Sequence, residues 1–190
     1  MSGAHKSLRD ATQAVHEALH GAEPFARIAE GRMDREGYGA LLVMLHRYHT
    51  AMAGHCIVAA ASLQAPVLGD AHRLRLAALK SDLAWCRQAA AREEEEPARH
   101  ADFAVGCLYT VQGSTLGGKV IHRQLAALLP EGGRGFFAGH ADDGAHWRLF
   151  CARLELHAPA MDMARVQAGA AHAFARFGGL LNAMQSTLAA

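Results

Sequence analysis

His16 and the glycines Gly113, Gly117 and Gly118 are the residues whose types and spacing point to chemistry. The glycines fall in Tyr109-Thr-Val-Gln-Gly-Ser-Thr-Leu-Gly-Gly-Lys119, inside what otherwise reads as a helix over residues 102–129. Each costs roughly 1 kcal/mol against alanine in a helix interior, so a helix that keeps three within one and a half turns is using the missing side chains. Gly113 and Gly117 are four apart and share a face, leaving a strip of bare backbone against which something flat can lie. A planar cofactor suits such a strip.

Three other readings compete for the same residues, of which a flexible loop is disfavoured by the apolar residues on both sides. A second is close helix–helix packing through a groove of small side chains. The third is a phosphate loop, because Gly113-Ser-Thr-Leu-Gly-Gly-Lys119 has the spacing G-x-x-x-x-G-K. The next residue is Val120, however, which has no hydroxyl for magnesium. No strongly apolar strand ending in Asp supplies the second metal-binding motif of a nucleotide site.

Thirteen histidines are many for this length, and context selects His16 among them. In Leu8-Arg9-Asp10-Ala11-Thr12-Gln13-Ala14-Val15-His16 it follows Leu8 and Thr12 at helical spacing, which directs its ring inward or along the edge of the apolar face. A neutral imidazole there is suited to haem iron, and Ala11, Thr12 and Ala14 leave room for a porphyrin face. Arg9, two turns before His16 on the same side, can reach an acidic propionate.

The elements that must position these residues are helical. Only 16 residues are Val, Ile or Thr, while Ala, Leu, Arg, Glu and Gln abound, so an all-α fold is expected. Helices are expected over about 7–20, with a cap at Ser2 or Ser7, 34–61 with Asp34 as N-cap, 70–92, 102–129, 144–157 and 162–188. Pro24 and Gly31 break the chain after the first, and the run Glu93 to Glu96 before Pro97 reads as a solvated helix end. Trp147 and Phe150 are expected to face inward. No linker or repeat divides the chain, so residues 1–190 read as a single domain that buries roughly 70% of its unfolded surface. The four widely spaced cysteines form no C-x-x-C pair and read as reduced core residues. The absence of a signal pattern and of a spanning apolar run points to the cytoplasm. A net charge of +1 with dispersed basic residues gives no case for nucleic acid.

Three segments together resemble a bacterial haem oxygenase, of the biliverdin-forming type often encoded beside bacteriophytochromes. They are L-R-x-A-T-x-x-x-H at residues 8–16, Y-x-x-x-G-S-x-L-G-G at 109–118, and Phe136-Phe137 through Trp147-Arg-Leu-Phe150. The resemblance implies a helical bundle with haem held between a proximal N-terminal helix and a glycine-rich distal helix. It implies His16 as the iron ligand. Gly113 and Gly117, with Gly118 close by, are implied as the backbone wall over the distal face. Arg9 and Tyr109 are implied as propionate partners, with Lys119 a weaker one, and Phe174 and Phe177 as lining. The implied reaction is cleavage of haem, both substrate and cofactor, at a meso carbon to biliverdin, CO and Fe(II). It draws on O2 and an external electron donor of ferredoxin, flavodoxin or reductase type. Biliverdin would go to a bacteriophytochrome, or the use would be iron release. The alternative is a non-catalytic haem carrier or sensor on the same fold.

Two positions depart from the family pattern. Ser114 stands where many relatives place an Asp after the first distal glycine, and its hydroxyl can still hold water for proton delivery. His20 stands four residues after His16, where an acid commonly orients the imidazole; His20 itself or Glu23 is then the expected partner.

Overall fold

A computed structural model describes residues 3–90, 95–98 and 100–188, with every side chain in those ranges except those of His20 and Leu188. Its helices are α1 (Ala4–His20), α2 (Glu23–Ala29), α3 (Arg35–Ser62), α4 (Val67–Trp85), α5 (Ala101–Leu128), α6 (Gly135–Ala138), α7 (Asp143–His157) and α8 (Met163–Leu188). No strand occurs among the described residues, in line with the all-α expectation. Among the described residues no helix is long and apolar enough to cross a membrane.

Most boundaries have a local cause. Asp34 caps α3 by accepting from the Gly37 N–H at 2.8 Å, and Asp162 caps α8 by accepting from the Ala164 and Arg165 N–H groups. Pro24 opens α2 instead of only breaking the chain, because a first-turn position needs no N–H. The expected helix over 70–92 is displaced: α4 starts directly after Pro66 and stops at Trp85, with Arg87 at φ 58° turning the chain away.

The cap of α1 comes from a distance. Ser7 lies inside the helix and Ser2 lies outside the described residues. Glu155 of α7 does the capping, its two carboxylate oxygens accepting from the Ala4 and His5 N–H groups, each at 2.9 Å. A carboxylate there satisfies orphan donors and meets the positive end of the helix dipole.

The acidic run also differs from expectation. Glu93 and Glu94 lie outside the described residues, and Glu95 is exposed. Glu96 is no solvated end: its N–H donates to the Ala51 carbonyl at 3.1 Å and its carboxylate turns inward to His172 and Arg176.

Helix α5 runs through the middle of the bundle, packed on α8 and α3. Helix α4 covers α3, α6 and α7 close over α4 and α5, and α1 lies across α8 and α7. Tyr38, Leu41, Leu42, Leu108, Val111, Phe150 and Val166 are fully buried where these helices meet. Cys56, Cys86 and Cys107 are buried and Cys151 half-buried, all as free thiols, as expected.

The closest approach is between α5 and α8, backbone to backbone. An added Cβ at Gly106 would collide with the Val166 carbonyl and lie 2.6 Å from the Ala170 nitrogen. One at Gly169 would collide with the Phe103 carbonyl, 2.8 Å from its carbon. These two glycines, not Gly113 and Gly117, provide the small-residue packing groove. Gly106→Ala should therefore destabilise the protein by about 1–3 kcal/mol, although alanine is the better helix former, and a thermal melt will register the loss.

Beside α5 lies a buried polar cluster. A ring nitrogen of His49 on α3 is 3.2 Å from one of His72 on α4, and the Arg75 guanidinium sits 4.4 Å above the Phe136 ring of α6. Burial holds both imidazoles below their usual range, helped by the Arg75 charge, and brings His72 down to about 4. Asp143 offsets burial at Arg75. The unfolded chain therefore binds protons more readily than the folded one. Stability from this cluster is fully present above the ordinary histidine value of 6.5 and is lost as pH falls toward about 4. Denaturant titrations across that window should show a shallower acid loss, by up to about 3 kcal/mol, for the His49→Gln/His72→Gln double variant than for the unaltered protein.

Candidate active site

The site begins where α1 meets α5. Thr12 and Tyr109 are both buried there, and Thr12 also donates from its hydroxyl to the Leu8 carbonyl at 2.8 Å. Burial raises the Tyr109 hydroxyl above its usual range, opposed by its hydrogen bond with Thr12 and by the Arg9 charge. From this contact each helix runs on by one turn: His16 is four residues past Thr12, and Gly113 four past Tyr109. Beyond this contact the two helices touch only narrowly.

On the α1 side, His16 is exposed, its ring edge-on to Phe174 of α8 with centroids 6.3 Å apart. Val15 beside it is 37% exposed. Phe177 continues the α8 lining, stacked on Phe25 and edge-on to Tyr48. The His20 side chain lies outside the described residues. Glu23 heads α2 and faces Arg27 at 3.7 Å.

On the α5 side, burial changes abruptly. Residues 104–112 are all buried, whereas Ser114, Leu116, Gly117, Lys119 and Val120 are exposed. A Cβ built at Gly117 would meet nothing within 4 Å, so this backbone is bare and uncovered. Gly113 is partly roofed: its added Cβ would touch the Trp147 ring at an ordinary 3.6 Å. Gly118 turns elsewhere, its bare face 3.1 Å from the Phe137 carbonyl of α6. Leu116 and Val120, each 49% exposed, flank Gly117 with apolar surface that no other helix covers. Ser114 donates to the Val111 carbonyl at 2.7 Å and keeps its lone pairs as acceptors.

The sequence-predicted residues thus fall into groups. Thr12 and Tyr109 are brought together, as are His16 and Phe174. Gly113 and Gly117 lie on the opposite helix, and Arg9 and Lys119 are exposed cations of the two walls. Tyr109 is buried, packed against His5, Trp147 and Phe150 at centroid distances of 6.2, 5.8 and 6.2 Å. Sequence reasoning missed His5, whose ring meets Trp147 edge-on at 5.5 Å, and Glu155, which fixes the start of α1. Nothing local marks Glu155, because it acts on residues 150 positions away.

An iron-coordinating imidazole type, an uncovered glycine backbone, apolar flanks and exposed cations form a donor set and shape that fit haem. The heme oxygenase family model matches residues 2–183. A heme oxygenase of Xanthomonas campestris pv. campestris is 32% identical over 154 residues, which cover 79% of this chain and 92% of the relative. Among solved structures, the NO- and CO-bound haem oxygenase of Neisseria meningitidis is similar with a TM-score of 0.75 at 26% identity, covering 97% of this chain and 92% of that one. Haem oxygenase-1 of the cyanobacterium Synechocystis, in complex with haem, shares the fold with a TM-score of 0.70 at 19% identity over 98% of this chain and 94% of that one. The chain belongs to the haem oxygenase family.

Proposed function

We propose that the enzyme, acting as one domain over residues 1–190, takes its substrate haem between α1 and the second half of α5. There it cleaves the ring at a meso carbon to biliverdin, CO and Fe(II). The observation that carries this placement is the bare, uncovered backbone at Gly117, flanked by exposed Leu116 and Val120, in a helix that has no packing reason for the glycine. When bound and reduced, haem supplies the O2-activating iron; the chain supplies position, shape and protons.

His16 is the proposed iron ligand, held at the edge of Phe174 on a helix whose register is set by Glu155 and Thr12. An imidazole lacks the electron push of a thiolate that favours O–O cleavage. Gly117, with Gly113 one turn earlier, brings main chain instead of side chain to the distal face and limits the space there. Arg9 and Lys119 are the cations placed to meet propionates, each such bond worth roughly 1.5–3 kcal/mol. Tyr109 supports them from inside by tying α5 to Thr12. The Ser114 hydroxyl, already donating to Val111, is free to accept from a water and so to anchor proton delivery in place of a carboxylate. The electron donor belongs to the ferredoxin, flavodoxin or reductase class. A bacteriophytochrome as acceptor of biliverdin is supported by the motif resemblance.

Two outcomes test this reading. The purified protein mixed with hemin and a reductant in air should form biliverdin, and His16→Ala should remove the histidine-ligated haem spectrum; retention of that spectrum would assign the ligand elsewhere. Gly117→Ala should leave the apoprotein equally stable or more so by up to about 1 kcal/mol, because the new methyl meets nothing and helix propensity improves. Gly117→Leu should keep the fold yet lose most biliverdin formation, read as pigment yield per bound haem. Full yield from the leucine variant would place this face away from the reacting oxygen.

A further inference from the structure

A second constellation lies at the other end of α5. His55 of α3, Glu96 of the segment before α5 and His172 of α8 each present a ligand atom, all within 4.8 Å of one another. Both imidazoles address the same carboxylate oxygen: His172 Nε2 is 2.7 Å and His55 Nε2 3.9 Å from Glu96 Oε2. The other oxygen, Oε1, lies 3.0 Å from the Arg176 Nε. Both rings pack against Phe103, with centroids 5.6 and 5.3 Å from it and 6.2 Å from each other. Phe103 precedes Gly113 by ten residues, about 15 Å of helix rise, so no atom is shared with the haem site.

An ion-paired clasp explains His172, Glu96 and Arg176 but leaves His55 unexplained. Its side chain is 3% exposed, its Nδ1 is buried without a hydrogen-bond partner among the described residues, and its Nε2 stands beyond hydrogen-bond range of Glu96. Burying an imidazole so poorly bonded is costly unless a further group takes its lone pair. We propose that His55, Glu96 and His172 form a binding site for a divalent transition metal, separate from the haem site.

The donor set decides the class of ion. Two imidazoles and one carboxylate suit Zn(II), Fe(II) or Co(II) in preference to Mg(II) or Ca(II), which favour all-oxygen shells. Metal–ligand bonds of about 2.0–2.2 Å set donors about 3.3–3.6 Å apart around a tetrahedral ion, so Glu96 must draw about 0.5 Å nearer to His55, from 3.9 Å, and His172 must part from it by somewhat less than about 1 Å, from 2.7 Å. The half-exposed His172 and the loop-borne Glu96 can supply that movement, while His55 stays fixed by its burial. Arg176 holds the outer carboxylate oxygen and so presents the inner one to the metal, as outer-shell partners do.

The test is titration of the hemin-loaded protein with Co(II), followed by its visible ligand-field absorption, and with Zn(II), followed by calorimetry. The expected result is one site per chain with an absorption band of Co(II) in low coordination. Glu96→Gln and His172→Gln, both outside the core, should each weaken binding about ten-fold or more. His55→Gln should do the same, with circular dichroism confirming its fold. Hemin loading is read separately from the Soret band, and the titration runs equally on the apoprotein, so failure of the haem reading is distinguishable from failure of this one. A chain that takes up neither ion stoichiometrically, or equal affinity in the Glu96→Gln and His172→Gln variants, would leave the three residues as a clasp and overturn the proposal.

Discussion

The contact on which the structure depends is the backbone-to-backbone crossing of α5 and α8. Val166 and Phe103 place carbonyl groups where side chains of Gly106 and Gly169 would stand. Carbonyl groups in regular helices cannot rotate aside as side chains can, so the crossing has little freedom to adjust. It embeds residues 104–112 of α5 in the core. The second half of the same helix continues from this stretch, packed on α6 through Gly118 and with Leu125 buried, and leaves the Gly117 backbone bare on its outer face.

The opposite wall is held differently. Helix α1 exposes most of residues 9–18 and has no backbone-level contact of this kind. Its position comes from Glu155 at its first turn, from Thr12 against Tyr109 and from His16 against Phe174. Capping and hydrogen-bond contributions of this kind amount to about 0.5–2 kcal/mol each, far below the cost of separating α5 from α8. The two helices that carry the proposed site residues are thus held unequally, α5 by a backbone crossing and α1 by a few polar and ring contacts.

How far the sequence carried this picture depended on whether the determining interaction was local. Asp34 and Asp162 cap the helices they precede, and the resulting bounds were legible to within a residue or so. The glycine strip was legible because glycine opposes helix propensity wherever it stands. Propensity does not say what fills the space, however, and Gly106, a single glycine in an apolar run, proved to be the packing residue while Gly117 faces nothing. Glu96 was misread as solvated because a run of acids looks the same whether its last member points to water or to His172 and Arg176. Glu155 left no local mark at all. The His49–His72–Arg75 cluster was invisible for the same reason, since its members come together only when α3, α4 and α6 pack.

The structure also narrows what the glycine motif provides. Three glycines in the sequence suggest one continuous strip, but their surroundings differ. Gly118 lets α6 approach through the Phe137 carbonyl, and Gly113 lies under the Trp147 ring, which itself stacks on Phe150 at 5.7 Å. The half-buried indole packs against the core and stands at the inner end of the strip, while the open backbone lies one turn further out, at Gly117 between Leu116 and Val120. Trp147 and Glu155 both belong to α7, so the helix that roofs Gly113 on α5 is also the one that caps the start of α1. One element therefore fixes the surroundings of the glycine strip and the first turn of the imidazole-bearing helix together.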